Sequence, residues 1–503
     1  MLNITSIFVL MLENHSFDNI FAMSGIAGIA AATSADSNSY GGSIYAVQSG
    51  APVTMPTDPG HEFYDVFEQL AGPGVSFNPN QQYAPAILNS GFASNYATTR
   101  SEGSPPAAAD IGKIMYCFDT PNQLPVIYQL ATEFAICDHW FSSLPGPTWP
   151  NRFFVHGASS VGLDHSPTDT ELAEWDTIDG FQYPSGSIYD ALTKNGLRWR
   201  LYNDRTDANS DDPQSRFGEL AQVASLKGIH LADVNSLSRF AADLRGSYPY
   251  HYTFIEPNYG DILANTYAGG SSQHPMDDVY GGESLIKMVY EAIRNSPIWN
   301  TSLLIITYDE HGGFYDSVRP GPAVAPGDVS EESRFNKYGF NFQQLGVRVP
   351  AVVVSPLIPA GTVDHTEYDH SSVPGTLESQ FGFGSLTDRD KNAENVLHLL
   401  TLASPRTDCP ERLADPAPPA PKPAAVPPAL AAPAIDEQPL PSSGNLRGAI
   451  AIAAKTDFEL SSGSDADKAA IVQKHDQIKT KGQARDYVNS VMQKLDAVRA
   501  GRR

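Results

Sequence analysis

The sequence predicts an α/β chain, an α/β/α sandwich whose central sheet is mostly parallel. Uninterrupted apolar runs such as Ile7-Phe8-Val9-Leu10-Met11-Leu12 and Leu303-Leu304-Ile305-Ile306 suit strands covered on both faces. Amphipathic stretches alternate with these runs up to about residue 405, the pattern of a helix-covered sheet. Two of the runs break abruptly into polar residues, Glu13-Asn14 after Leu12 and Asp309-Glu310 after Tyr308. In open α/β sheets ligands gather outside the carboxyl ends of the strands, so both breaks point to an active-site rim.

In chain order, strands are expected over Ile4 to Leu12, Phe134 to Asp138, Arg198 to Tyr202, Tyr252 to Ile255, Ser302 to Tyr308 and Val349 to Val354. Between them, Pro125 to Phe134 and Ser187 to Lys194 read as helices, and Leu285, Ile286, Val289 and Ile293 share one face of another. Gly/Ser/Asn-rich segments at 33–60 and 71–110 are long for plain connections and are expected to cap a site. Pro and Ala dominate residues 410–441, the composition of a semi-rigid spacer. Beyond it Ala484, Tyr487, Val488, Val491, Leu495 and Val498 keep helical spacing, and Lys494, Arg499, Arg502 and Arg503 put positive charge where a helix dipole favours it. The chain thus divides into a compact domain over 1–408, a Pro/Ala-rich linker over 409–445 and a helical segment over 446–503. The segment is either an oligomerisation or docking element or a helix packed back on its own domain.

A formal charge of -24 over 503 residues argues against nonspecific binding to nucleic acid or anionic membranes. A small anionic substrate would need a local positive site, and a bound metal ion is the simplest one. Cys117, Cys137 and Cys409 are too few and too dispersed for a zinc site or a disulfide framework, and Cys137 reads as a core thiol. As written, the chain shows no signal-peptide pattern and no apolar stretch long enough to cross a bilayer. A cytoplasmic chain with no integral membrane segment is therefore the expectation.

Glu13, Asn14, Asp309 and Glu310 form an oxygen-rich set suited to a hard divalent cation. Adjacent strand side chains point to opposite faces, so Asp309 and Glu310 converge only where the backbone turns, and Gly312 and Gly313 supply that freedom. For either pair alone, a solvated strand end is the plainer alternative. The third segment, Ser142-Ser143-Leu144-Pro145-Gly146-Pro147-Thr148-Trp149-Pro150-Asn151-Arg152, makes a stiff turn leading into a helix. A Thr148 hydroxyl there meets the positive helix end, which also attracts phosphate oxygens. Threonine becomes a nucleophile when a metal lowers its pKa.

Together, Leu12-Glu13-Asn14-His15-Ser16-Phe17-Asp18, Pro145-Gly146-Pro147-Thr148-Trp149-Pro150-Asn151-Arg152 and Tyr308-Asp309-Glu310-His311-Gly312-Gly313-Phe314-Tyr315-Asp316 resemble the signatures of the bacterial phosphoesterase family that contains phospholipase C-type enzymes and a group of acid phosphatases. That family belongs to the alkaline-phosphatase-like superfamily. The resemblance runs from about residue 5 to about residue 400 and implies an alkaline-phosphatase-like sandwich. It also implies one divalent metal ion, Ca, Mg, Mn or Zn, held by Glu13, Asn14, Asp309, Glu310 and Thr148, with Thr148 as nucleophile. Family members surround the phosphoryl group with histidines; His61 and His274 fit that pattern, with His251 and His370 as further candidates. Asn14, Asn151 and His370 are expected to bind substrate, and His15 and His311 to support the metal motifs.

The expected activity is metal-dependent phosphoester hydrolysis through a phosphothreonine, of the acid phosphatase kind. Two alternatives stand beside it: a phospholipase C-type diesterase releasing a phosphorylated head group, and a catalytically silent binding protein of the same fold. A sulfatase is disfavoured, because that branch modifies a Cys or Ser and Pro147-Thr148-Trp149 offers neither. The family is usually exported, and its phospholipase members commonly carry further β-rich domains, which this sequence replaces with a spacer and a helical tail.

Overall fold

The computed structural model describes residues 4–78, 81, 83, 85–168, 179–205, 216–330, 332–417 and 434–501. Residues 418–433 of the Pro/Ala-rich linker, together with Arg502 and Arg503, lie outside them.

Eight strands form the central sheet: β1 (Ser6–Leu12), β2 (Ala135–Cys137), β3 (Trp199–Asn203), β4 (Asn235–Ser236), β5 (Tyr252–Glu256), β6 (Ser302–Tyr308), β7 (Ala351–Val354) and β8 (Thr362–Asp364). Their spatial order is β8-β2-β7-β6-β1-β5-β3-β4. Only β7 runs against its neighbours β6 and β2; every other pairing is parallel. Every residue of β1 and of β6 is buried, which explains why both read as unbroken apolar runs. All six strands expected from the sequence are present with ends shifted by a residue or two. Pro350, which has no N–H to give to a ladder, delays the start of β7. The two edge strands β4 and β8 were not anticipated, being two and three residues long.

The helices that matter to the site are α1 (Phe17–Phe21), α2 (Phe63–Ala71), α3 (Pro125–Glu133), α4 (Thr148–Gly157), α5 (Ile188–Lys194) and α6 (Tyr280–Arg294). Leu285, Ile286, Val289 and Ile293 of α6 are all buried, as their spacing predicts. The same helix buries Glu283, whose carboxylate accepts the N–H groups of Val126 and Ile127 and so caps α3. Ser187 caps α5 in a reciprocal pair with Asp190.

The tail holds three helices rather than one: α7 (Asn445–Glu459), α8 (Asp465–Asp476) and α9 (Lys481–Gly501). It packs back on the body. Ala449, Ile450, Ile452, Ala453, Val488 and Val491 belong to the same hydrophobic core as β1 and β6. The Lys455 ammonium is buried and donates to the Ile229 carbonyl at 2.7 Å, and Arg216 pairs with Asp496 at 2.7 Å. Nothing here supports the oligomerisation alternative. Among the described residues, no helix is long and apolar enough to cross a membrane.

Candidate active site

The register of β1 and β6 builds the site. Ser6 pairs with Ser302 and each step repeats this up to Leu12 with Tyr308, so Glu13 and Asp309 leave the sheet side by side. The chain then turns at once. Asn14 adopts φ +57°, and Gly312 and Gly313 adopt φ +62° and +76°. A side chain at Gly312 would run into the Asn14 carbonyl, so glycine is needed there for space as well as for conformation. Asp309 Oδ1 accepts the backbone N–H of Asn14 at 3.0 Å and of Glu310 at 2.7 Å, which locks the two turns together.

Thr148 opens α4, preceded by Pro147 in extended conformation. The loop before it is held by Asn151, whose amide nitrogen donates to the carbonyls of Gly146 and Pro147 at 2.9 and 3.0 Å and whose oxygen accepts the Leu144 N–H. From this position the Thr148 hydroxyl donates to Asn14 Oδ1 at 3.4 Å. One helical turn later the buried Arg152 directs Nε to Asp309 Oδ2 at 2.8 Å and Nη2 to the Leu12 carbonyl at 3.0 Å.

The segments before and after α2 add a second wall. His61 places Nε2 3.4 Å from Asn14 Nδ2 and 3.7 Å from a Glu102 carboxylate oxygen, and anchors Nδ1 on the Pro59 carbonyl at 2.9 Å. His274 stacks face to face on Tyr267, accepts the Met276 N–H at Nδ1, and lies 3.9 Å from Asp58. The segments at 33–60 and 71–110 thus do reach the site, through Asp58 and Glu102.

Charge is strongly concentrated. Both Glu13 oxygens, Glu310 Oε1 and Asp58 Oδ1 are buried without a hydrogen-bond partner, although buried polar atoms nearly always have one. Burial, and the Asp309 carboxylate beside it, push the Glu13 carboxyl up to about 8; burial drives Asp58 up to about 7 and Glu102 to about 8. The two histidines diverge. Burial opposes a charge on His61, but Glu310, Glu102, Asp58 and Glu62 outweigh it and raise its pKa well above the usual value. His274, under burial and the repulsion of His61, falls well below it. The surroundings thus favour a charge on His61 and oppose one on His274.

The unpartnered oxygens of Glu13 and Glu310, with Asn14 Oδ1 and the Thr148 oxygen as neutral donors, are of the kind a hard divalent cation takes. Asp309 already spends both oxygens, Oδ2 on Arg152 and Oδ1 on the N–H groups of Asn14 and Glu310, and Glu310 spends Oε2 on the Gly312 N–H and His311. Among the described residues, the one group of three His, Cys, Asp or Glu side chains whose ligand atoms all lie within 4.8 Å of one another is elsewhere, at Asp138, His139 and His365.

Three sequence expectations change. His251 sits at the amino end of β5, where its Nδ1 accepts the Arg198 N–H; it is about 20 Å along the sheet from Glu13 and takes no part in this site. His370 spends both ring nitrogens internally, accepting from Trp140 Nε1 and donating to the Asp309 carbonyl, so it supports a ligand and does not bind substrate. Asn151 likewise uses its amide to hold the Thr148 loop. Arg152, Asp58, Glu102 and Tyr267 were not singled out. Arg152 lies in the Thr148 motif, one helical turn on, and Asp58 three residues before His61; Glu102 and Tyr267 gave no sequence signal.

Tail residues also line the site. Asn445 and Ala449 of α7 share a small cavity with Glu13, Thr148, Trp149 and Tyr259. Asn445 accepts from Trp149 Nε1 at 2.8 Å and donates to the Tyr267 hydroxyl at 3.1 Å. A larger cavity of about 560 Å³ opens alongside, lined by Glu62, Tyr64, Glu102, Tyr267, Tyr338 and Asn445 among others.

The chain is similar to several known proteins. The non-specific phospholipase C3 of Arabidopsis thaliana is 34% identical over 431 residues, covering 82% of this chain and 76% of that protein. Its non-specific phospholipase C6 is 36% identical over 437 residues, with the same coverages. Phospholipase C B of Mycobacterium tuberculosis is 27% identical over 407 residues, covering 76% of this chain and 74% of its own. Among solved structures, the phosphonate monoester hydrolase of Agrobacterium radiobacter aligns over 56% of this chain and 72% of that one, at 12% identity and a TM-score of 0.32. The model of the Phosphoesterase family matches residues 4–384, and the chain belongs to that family, a hydrolase of phosphoric ester bonds.

Proposed function

We propose that this protein is a phospholipase C-type phosphodiesterase, which cleaves a phospholipid on the glycerol side of phosphorus and releases a phosphorylated head group. The observation that carries the reading is the Thr148 hydroxyl at the positive end of α4, hydrogen-bonded to Asn14 beside the orphaned oxygens of Glu13. The phospholipase C names of the relatives support a diester over the monoester favoured by the sequence alone.

Thr148 Oγ1 attacks phosphorus, its hydroxyl proton passing to solvent water and returning from water when Thr148 is released, the bond to the glycerol oxygen breaks, and the head group stays on Thr148 as a phosphothreonine diester. His61, held cationic by its acidic neighbours, gives its proton to the departing glycerol oxygen. His274, whose Nδ1 accepts the Met276 N–H and so leaves the ring proton on Nε2, donates that N–H to a phosphoryl oxygen. Water then attacks phosphorus, losing a proton to His61, and Thr148 is restored as the head-group phosphate leaves. Glu13, Asn14, Asp309 and Glu310 would hold a divalent cation, which would supply the charge that acidifies the hydroxyl and offsets the phosphoryl oxygens.

Thr148→Ala is expected to lower head-group release from phosphatidylcholine vesicles by ~10³-fold or more with an unchanged circular dichroism spectrum. Near-native turnover would exclude Thr148 as nucleophile. Measured in parallel, head-group release should exceed phosphate release from an aryl monoester; the opposite ranking would return the protein to the phosphatase reading.

A further inference from the structure

A second cluster of titratable side chains lies at the outer edge of the sheet, outside the site described above. Asp138 follows β2, and its carboxylate is fully buried. His139 directs Nδ1 to Asp138 Oδ1 at 2.7 Å, and His365, which follows β8, directs Nδ1 to both carboxylate oxygens at 2.9 Å. The Ala30 N–H donates to the same carboxylate at 2.6 Å. Two imidazoles and an amide therefore converge on one carboxylate, and the ligand atoms of the three side chains lie within 4.8 Å of one another.

We propose that Asp138, His139 and His365 form a second metal site, which takes a first-row divalent transition ion such as zinc. The donor set decides the class of ion: two imidazole nitrogens and one carboxylate oxygen suit zinc and its neighbours, whereas calcium and magnesium prefer the all-oxygen set around Glu13. The geometry needs little adjustment. With bonds of about 2.1 Å, two ligands on one tetrahedral ion stand about 3.4 Å apart, so each ring must move about half an ångström from its hydrogen-bonded position. His365 is free to do so, with 59% of its side chain exposed. Each neutral imidazole opens its Nδ1 lone pair by carrying its proton on Nε2, which turns toward water. Water fills the remaining coordination positions.

Such an ion would clasp three segments that secondary structure joins weakly. The edge strand β8 and its neighbour β2 are only three residues long each, and the loop at Ala30 meets them through Asp138 and through Arg348, whose Nη1 donates to the carbonyls of both Ala30 and Asp138. The site is a structural clasp, independent of whether Thr148 is the nucleophile.

The test uses the full chain stripped with chelator, given zinc, desalted and analysed for bound metal. Asp309→Asn, which disturbs only the Glu13 centre, is expected to keep the zinc of the clasp and the rise in melting temperature that zinc produces. His139→Gln combined with His365→Gln is expected to retain one zinc fewer per chain than the native protein and to lose that rise. His365→Gln alone, at an exposed position, serves if the double variant does not fold. With cobalt in place of zinc, the native chain should show a visible band from imidazole-bound cobalt that is absent from the histidine variants. If the histidine variants bind the same number of zinc ions with the same thermal shift as the native protein, the clasp does not exist.

Discussion

Arg152 spends its charge inside the protein, on Asp309 and on the last carbonyls of β1, so it sets where a proposed metal ligand stands without touching substrate. Breaking a buried pair by removing one partner typically costs about 3–5 kcal/mol, because the other charge is left uncompensated. Arg152→Met should therefore lower the urea midpoint sharply and leave Asp309 protonated near neutral pH, with weaker metal retention after dialysis. Asp309→Asn should lose metal at a smaller cost in stability, and equal metal content in both variants and native protein would refute the pairing. His370 gives a pH prediction. Burial lowers its pKa to about 4 from 6.5, so the unfolded chain binds more protons than the folded one between those values. Stability therefore holds above pH 6.5 and drains away on acidification toward pH 4, by on the order of 3 kcal/mol from this residue; denaturant midpoints at pH 7 and pH 5 should differ less in His370→Gln. Glu13, Asn14 and Thr148 were legible in the sequence, because polarity breaks and a stiff turn are local signals. The uses of His251, His370 and Asn151 were not, because the partner of an imidazole or amide is set by the folded chain: His370 meets Trp140 and His251 meets Arg198 from distant elements, and Asn151 turns back on its own loop.

The turn after β6 carries a different kind of constraint, in which backbone shape decides the chemistry. Gly312 has φ +62° and no room for a side chain beside the Asn14 carbonyl. Gly312→Ala must therefore twist either its own turn or the one bearing Asn14, and both hold proposed metal ligands. A substitution incompatible with the native φ destabilises by more than ~1 kcal/mol, and here activity should fall further than stability does. Turnover on vesicles compared with the melting temperature separates the two; native turnover in the Gly312→Ala variant would show that the turn tolerates a shift. The paired strands β1 and β6 were readable because both are long and buried throughout. Strands β4 and β8 were not, since two or three residues with polar members carry no periodicity and form only because a neighbour offers its edge. The tail showed its last helix through Tyr487, Val488, Val491 and Leu495, whereas α7 hid in an Ala-rich run that resembled the spacer before it.

The fold as a whole closes on itself around Thr148, and the tail is the part that closes it. Gly448 on α7 lies so close to the Trp149 indole that a side chain there would collide with the ring, and the neighbouring Asn445 accepts a hydrogen bond from that indole while donating to Tyr267, the ring on which His274 stacks. Trp149, next to Thr148, and the His274 that stacks on Tyr267 thus depend on a helix nearly 300 residues further along the chain than Trp149. If the tail were merely appended, changes at its contact face would alter stability alone. If it is a wall of the site, they should alter catalysis as well, and the two sides should compensate each other. Gly448→Val should lift α7 from α4, costing about 1–3 kcal/mol of stability through overpacking, and Trp149→Ala should cost about 3–5 kcal/mol by leaving a cavity. Combined, the valine fills part of the space the indole vacates, so the double variant should lose at least about 1 kcal/mol less than the sum of the singles. Urea midpoints for the four chains give that coupling, and head-group release from vesicles should fall in both single variants. Strict additivity of the stability losses, together with undiminished turnover in Gly448→Val, would show that the tail rests on the catalytic body without shaping its site.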